Sequence, residues 1–233
     1  NFGNILACYY AKRMGLPIGR LICASNRNDV LTEFLTTGTY NRKREFHLTN
    51  TPSMDILISS NLERYLFELF GREARAVAYC MYRLNEGGEY SVTAEALDQI
   101  REEFAAYSCD DQKTLDTIRE IHDRCGYVMD THTAVAVNAL EQYQQETGDK
   151  TPALVVSTAS PFKFADSVLT ALGREVPAGE FDCLRALSEV SGLAVPASLA
   201  QLEELPVRFE GAVRPQEMEH ALLHALRKMD ESM

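Results

Sequence analysis

No apolar run in the sequence approaches the roughly 20 residues that a membrane-spanning helix requires, so no membrane partner is expected. Positive charge is scarce. Lysine and arginine total 23 against 34 aspartates and glutamates, a net charge of −11. Such a balance provides no basic face for nucleic acid or for an anionic bilayer. The six cysteines, at positions 8, 23, 80, 109, 125 and 183, include no C-x-x-C pair. Most fall at apolar positions, which points to free buried thiols in a reducing compartment, the cytoplasm, rather than to disulfides or zinc. Internal repeats, low-complexity tracts, linkers, a Walker loop and a Ser-His-Asp elbow are all missing.

What remains is ordinary globular material: 233 residues, 45% hydrophobic and 24% charged, with enough apolar mass for a real core. The opening stretch is the most informative. Asn1-Phe2-Gly3-Asn4 is a short polar loop running straight into a helix over residues 5–14, apolar almost all round and therefore expected to be buried. Gly15 and Pro17 end it, and Leu21-Ile22-Cys23-Ala24 follows as an unbroken apolar run, suited to a parallel strand covered on both faces. A helix N-terminus carrying a glycine and two asparagines is fit to hold an anion, because its first amides have no helical acceptor and glycine lets the backbone approach closely. An ordinary turn capped by Asn4 fits the same four residues.

Further on, Asn28-Asp29 reads as the cap of a helix ended by Gly38, and residues 39–52 read as loop carrying the basic triplet Arg42-Lys43-Arg44. That triplet is expected to be solvated, with a substrate-phosphate site as the alternative. Ser60-Asn61-Leu62-Glu63 has the form of a capping box. Helices follow over 62–70 and 72–85, then from Thr93 to about Phe104, from Asp110-Asp111 to Gly126, and from Thr131 onward. Leu154-Val155-Val156 reads as a second buried strand, running into Ser157-Thr158. A hydroxyl at the carboxyl end of a strand suits a ligand in an open α/β sheet, and a simple turn accounts for it equally well. Helices are expected at 164–172, 181–191 and 215–229, and Val207-Arg208-Phe209 as a last short strand. The pattern is α/β, helix-rich, with a parallel sheet that looks incomplete. His220 and His224 have zinc-like spacing, but Ala221 stands where a glutamate would follow, so a surface helix face is expected. Lys163, between two phenylalanines, reads as a snorkelling surface lysine, and Asp130-Thr131-His132-Thr133 as helix capping.

Several blocks in order resemble one family. Asn1-Phe2-Gly3-Asn4 with its helix, then residues 21–26, residues 50–64 (NTPSMDILISSNLER), the segment Asp130-Thr131-His132-Thr133-Ala134-Val135, and Ser157-Thr158-Ala159-Ser160-Pro161-Phe162-Lys163-Phe164 are similar to threonine synthase. The resemblance covers most of residues 1–165. It implies a pyridoxal 5'-phosphate lyase of the tryptophan-synthase-β fold group, converting O-phospho-L-homoserine and water to L-threonine and phosphate. It implies that Asn1, Phe2, Gly3 and Asn4 cradle the cofactor phosphate and that Thr158 faces the pyridine nitrogen. Thr131 stands where the family has proline, and the glycine expected before Asn1 is not in the sequence. The family's Schiff-base lysine precedes the phosphate loop. No catalytic residue is therefore expected in this chain, which reads as a carboxyl-terminal part, inactive and without cofactor by itself. Within it, residues 1–165 would be the cofactor-binding portion and 166–233 a helical tail. A strand missing before Asn1 would leave an open sheet edge and a tendency to self-associate. The alternatives are a serine or threonine dehydratase-like lyase of the same fold group and a catalytically dead relative that binds metabolites.

Overall fold

The computed structural model describes residues 2–207 and 211–230. It begins with α1 (Gly3–Arg13), β1 (Leu21–Ser25), α2 (Val30–Thr37) and β2 (Thr39–Asn41). Next come α3 (Leu62–Leu69), α4 (Ala74–Gly87), β3 (Glu89–Ser91), α5 (Ala94–Glu103) and β4 (Phe104–Ser108). Then α6 (Asp111–Cys125), α7 (Thr131–Thr147), α8 (Ala165–Ala171) and α9 (Glu180–Ser191) lead to the short α10 (Ala197–Ala200) and to α11 (Met218–Asp230). Two compact units divide the chain between Val195 and Pro196. No helix among the described residues is long and apolar enough to cross a membrane.

In the first unit, β1 and β4 pair in parallel, Leu21 opposite Phe104 through Ser25 opposite Ser108. Everything from α2 to α5 forms the crossover that parallel pairing demands. Burial along β1 alternates: Leu21, Cys23 and Ser25 are buried, Ile22 and Ala24 half-buried. A second, antiparallel pair joins β2 to β3, with Tyr40 and Tyr90 stacked at 5.4 Å. Both of its strands are entered through a glycine that ends a helix. Gly38 (φ +77°) turns α2 into β2, and a Cβ there would lie 3.1 Å from Val92 Cγ2. Gly88 (φ +74°) turns α4 into β3 against the methylenes of Lys43. Left-handed backbone and lack of room both require glycine at these two places. The core is aromatic: Tyr65 meets Phe104 at 5.0 Å and Tyr9 at 5.2 Å, and Phe2 joins them at 5.9 and 5.6 Å from Tyr65 and Phe104.

Several expectations change. Leu154–Val156 is not a strand. No strand among the described residues lies beside it, and Leu154 is 89% exposed. A strand exists only where another takes up its amides and carbonyls, and the partner of β1 is Phe104–Ser108, where the sequence pointed to the end of a helix. β2 lies inside the stretch read as loop. Helix α1 buries one face only, through Leu6 and Tyr9, while Ala7 is exposed and Ile5, Cys8 and Tyr10 are half-buried. Thr93 and Asp110 cap α5 and α6 through their side chains as expected. Asn61 and Asp29 make no side-chain cap, and Asp130, not Thr131, caps α7. Arg208 and Phe209 of the expected last strand lie outside the described residues. In the second unit α11 stands largely exposed, His220 and His224 with it.

Candidate functional site

Helix α1 starts without a cap. Phe2 enters it in the left-handed conformation (φ 57°), its ring 4% exposed, and no side chain bonds the first turn. The first helical bond runs from the Leu6 amide to the Phe2 carbonyl at 3.1 Å. The amides of Gly3, Asn4 and Ile5 therefore have no acceptor within the helix, and no acidic residue shares that turn. This is the arrangement that binds anions: free amides, a favourable dipole, and a left-handed to right-handed backbone nest. A Cβ on Gly3 would sit 3.4 Å from the Asn61 side-chain nitrogen, so the head of α3 walls the turn. Asn4 is exposed and caps nothing. Asn1 lies outside the described residues.

A second polar region follows β1 directly. The Asn26 amide nitrogen has three acceptors for its two hydrogens, Asp55 Oδ1 at 2.7 Å, Thr49 Oγ1 at 2.8 Å and Thr51 Oγ1 at 2.9 Å. The Asn28 side chain donates to Asp55 Oδ1 at 2.9 Å and exchanges two bonds with the His47 backbone. Thr49 donates to both Asp55 oxygens, through its hydroxyl at 2.8 Å and its amide at 3.1 Å. Asp55 thus gathers donors from two asparagines and a threonine, which fastens the loop over residues 47–55 to the carboxyl end of β1. Arg44, in the basic triplet, is bound to Asp29 at 2.6 Å and to Glu33. Arg42 donates to the Asn85 carbonyl at 2.9 Å. Two of the three cations are thus committed within the fold.

The third region is the start of α7. Asp130 is fully buried, and its Oδ1 accepts from the His132 amide at 2.9 Å and the Thr133 amide at 3.3 Å. The Thr133 hydroxyl bonds Asp130 Oδ2 and reaches Ser157 Oγ at 3.0 Å. His132 Nδ1 lies 3.2 Å from Asp130 Oδ1, and its Nε2 accepts the Ser53 amide at 3.2 Å. A backbone amide can only donate, so Nε2 carries no proton. His132 is therefore neutral, with its proton on Nδ1 directed at Asp130. Burial by itself would raise the Asp130 carboxyl. The side-chain and backbone bonds from His132 and Thr133 outweigh it and hold that carboxyl below the usual aspartate range. The His132 ring packs on Phe164 at 4.6 Å. Ser157 and Thr158 are exposed.

Among the described residues no hydrogen bond, ion pair or ring contact links Phe2, Gly3 or Asn4 to Thr158. Sequence reasoning passed over Asn26, Asp55, Asp130 and His132 as site-forming residues. The signal for the last two was present, a polar tetrapeptide with histidine at a helix start, and capping absorbed it. Lys163 is exposed, its amine 5.3 Å from the Phe164 ring centre, as a snorkelling side chain should be. All six cysteines are free. Burial pushes the Cys23 thiol up to about 12, which keeps it inert. No group of three metal-ligating side chains occurs among the described residues.

Known structures share this fold. The crystal structure of yeast threonine synthase aligns over 97% of this chain and 46% of that chain, with a TM-score of 0.83 and 33% identity. The pyridoxal-phosphate-bound threonine synthase of Brucella melitensis aligns over 82% of this chain and 44% of that one, with a TM-score of 0.70 and 38% identity. The fold is thus that of a helix-rich α/β protein of the tryptophan-synthase-β-like class, whose solved neighbours are threonine synthases. The family described as "Threonine synthase, C-terminal" matches residues 133–221. Threonine synthase of Methylobacillus glycogenes is 37% identical over 218 residues, 90% of this chain and 41% of that protein. Human threonine synthase-like 1 is 39% identical over 173 residues, 74% of this chain and 23% of that protein. The chain belongs to the threonine synthase family and corresponds to its carboxyl-terminal part. It spans less than half the length of these curated relatives.

Proposed function

We propose that this chain is the part of a threonine synthase that holds pyridoxal 5'-phosphate by its phosphate and its ring nitrogen. The whole enzyme would convert O-phospho-L-homoserine and water to L-threonine and phosphate. One observation carries the reading: the uncapped, acid-free N-terminus of α1, with three amides lacking helical acceptors. It stands in a chain that aligns over 82% of its length with a pyridoxal-phosphate-bound threonine synthase. These residues fit the cofactor's phosphate. The amides of Gly3, Asn4 and Ile5 would donate to its oxygens, with Phe2 setting the turn and Asn1 completing it.

Bound pyridoxal phosphate supplies an electron sink. Thr158 would offer the ring nitrogen a neutral hydroxyl, which leaves that nitrogen less protonated than a carboxylate would. Lys163 is exposed on its turn, and we do not read it, or any other lysine here, as the family's Schiff-base lysine. We assign that role to residues outside this sequence and predict that the chain by itself releases no phosphate. Residues 1–165 would form the cofactor-binding portion and 166–233 a helical tail. The unpaired thiols favour a cytoplasmic setting, and the exposed segment at Leu154–Val156 favours self-association of the isolated chain. The acidic surface leaves a small molecule as the partner, not nucleic acid or membrane.

The experiment is a substrate panel on the full-length product of the encoding gene. Phosphate and threonine formed in equal amounts from O-phospho-L-homoserine support the assignment. Deamination of serine or threonine instead points to a dehydratase. Intact cofactor absorbance without turnover points to a metabolite-binding relative.

A further inference from the structure

Residues 153–159 make no backbone–backbone hydrogen bond in the described structure, and most of their side chains face solvent. A segment so poorly held has no reason to keep one conformation. Two anchors bracket it. Before Thr158, the Ser157 hydroxyl meets Thr133 Oγ1 at 3.0 Å. After it, Ser160 starts a tight turn by accepting the Phe162 amide at 3.3 Å, and buried Phe164 packs on the His132 ring. Both anchors come from the first turn of α7, and both converge on one fully buried carboxylate, since Asp130 bonds Thr133 and His132 together. The same His132 takes the Ser53 amide through Nε2, which ties the 47–55 loop to the cluster.

We propose that Asp130 is a positioning residue for Thr158, acting through Thr133 on one side of the turn and through His132 and Phe164 on the other. Capping alone does not need this arrangement. An N-cap has only to accept amides in the first turn, whereas Asp130 also accepts the Thr133 hydroxyl and the His132 ring. The inference rests on the proposed function only for the purpose of holding Thr158; the geometry stands without it.

The test is solution NMR on the full-length gene product with methyl-labelled threonine and nitrogen-15-labelled histidine. Wild type should give one rigid Thr158 methyl signal and a His132 spectrum of the Nδ1-protonated neutral form. Thr133→Val keeps the shape and removes the hydroxyl. It should broaden or split the Thr158 signal while the His132 pattern persists, and Thr133→Ser should restore the single signal. Asp130→Asn keeps a good helix cap but should shift both the Thr158 and His132 signatures. An unchanged Thr158 methyl in folded Asp130→Asn or in Thr133→Val, or failure of Thr133→Ser to restore it, overturns the proposal. Should Asp130→Asn fail to fold, the Thr133 pair still decides. None of these readouts needs cofactor. A gene product that never binds pyridoxal phosphate would therefore remove the functional reading and leave this one standing.

Discussion

Leu21–Ser25 and Leu154–Val156 are both short apolar runs, and in the sequence they look alike. One is a strand paired residue for residue with Phe104–Ser108, its inward face buried. The other has no strand partner among the described residues, and Leu154 is 89% exposed. An apolar run states a demand for burial and for backbone partners. Whether the demand is met depends on what the rest of the fold brings alongside, and for β1 that partner arrives after the whole α2–α5 crossover.

The largest expected effect lies on the satisfied side of this contrast. Phe104→Ala removes a ring that touches Phe2, Tyr9 and Tyr65. Its expected cost is about 3–5 kcal/mol in urea unfolding. Leu154→Ala should shift the same curve by less than about 0.5 kcal/mol; a loss comparable to that of Phe104→Ala would mean that the segment is packed after all. Next in size is Asp130→Ala. It removes a cap and strands buried donors on His132 and Thr133, for a destabilisation of about 2–3 kcal/mol.

The Asp130 carboxyl also sets a pH dependence. Because the fold lowers its pKa, the stability it contributes is in place above the ordinary aspartate value of about 3.9. That stability drains away as the pH falls through the lower folded value. Unfolding curves for Asp130→Asn, taken at a series of acidic pH values, should lack that portion of the decline. Smaller again is Gly38→Ala, where a left-handed φ and the 3.1 Å approach of Val92 set the strain. About 1–2 kcal/mol is expected from thermal melts. A neutral result would mean that the α2–β2 corner relaxes freely.

Much of the helical frame was legible. Gly38, Gly88 and Gly126 close helices where the sequence placed stops, and Thr93 and Asp110 open them, because caps and stops are local chemistry. β4 was not legible. Phe104-Ala105-Ala106-Tyr107-Ser108 has two alanines, weak strand formers, and becomes a strand because β1 lies beside it. The all-round apolar character of α1 promised full burial, yet only one face is covered, since hydrophobicity gives no count of the neighbours present. At the candidate site, the sequence put Gly3 and Asn4 in a loop ahead of a helix starting at residue 5, whereas they are the first two residues of α1, and their amides, with that of Ile5, have no acceptor within it. The Asp130–His132–Thr133 cluster was not legible, because a polar tetrapeptide does not reveal that it is buried or which distant hydroxyl and amide it holds.

The phosphate-binding role of the head of α1 is the claim on which the functional account turns, and the affinity of the full-length gene product for pyridoxal phosphate tests it most directly. Gly3→Asp places a carboxylate among the free amides, and the nearest atom to its Cβ, on Asn61, is at an ordinary 3.4 Å, so the fold should survive. The account predicts that the dissociation constant rises at least about tenfold, a loss of about 1.4 kcal/mol. An unchanged constant in a folded variant would contradict it.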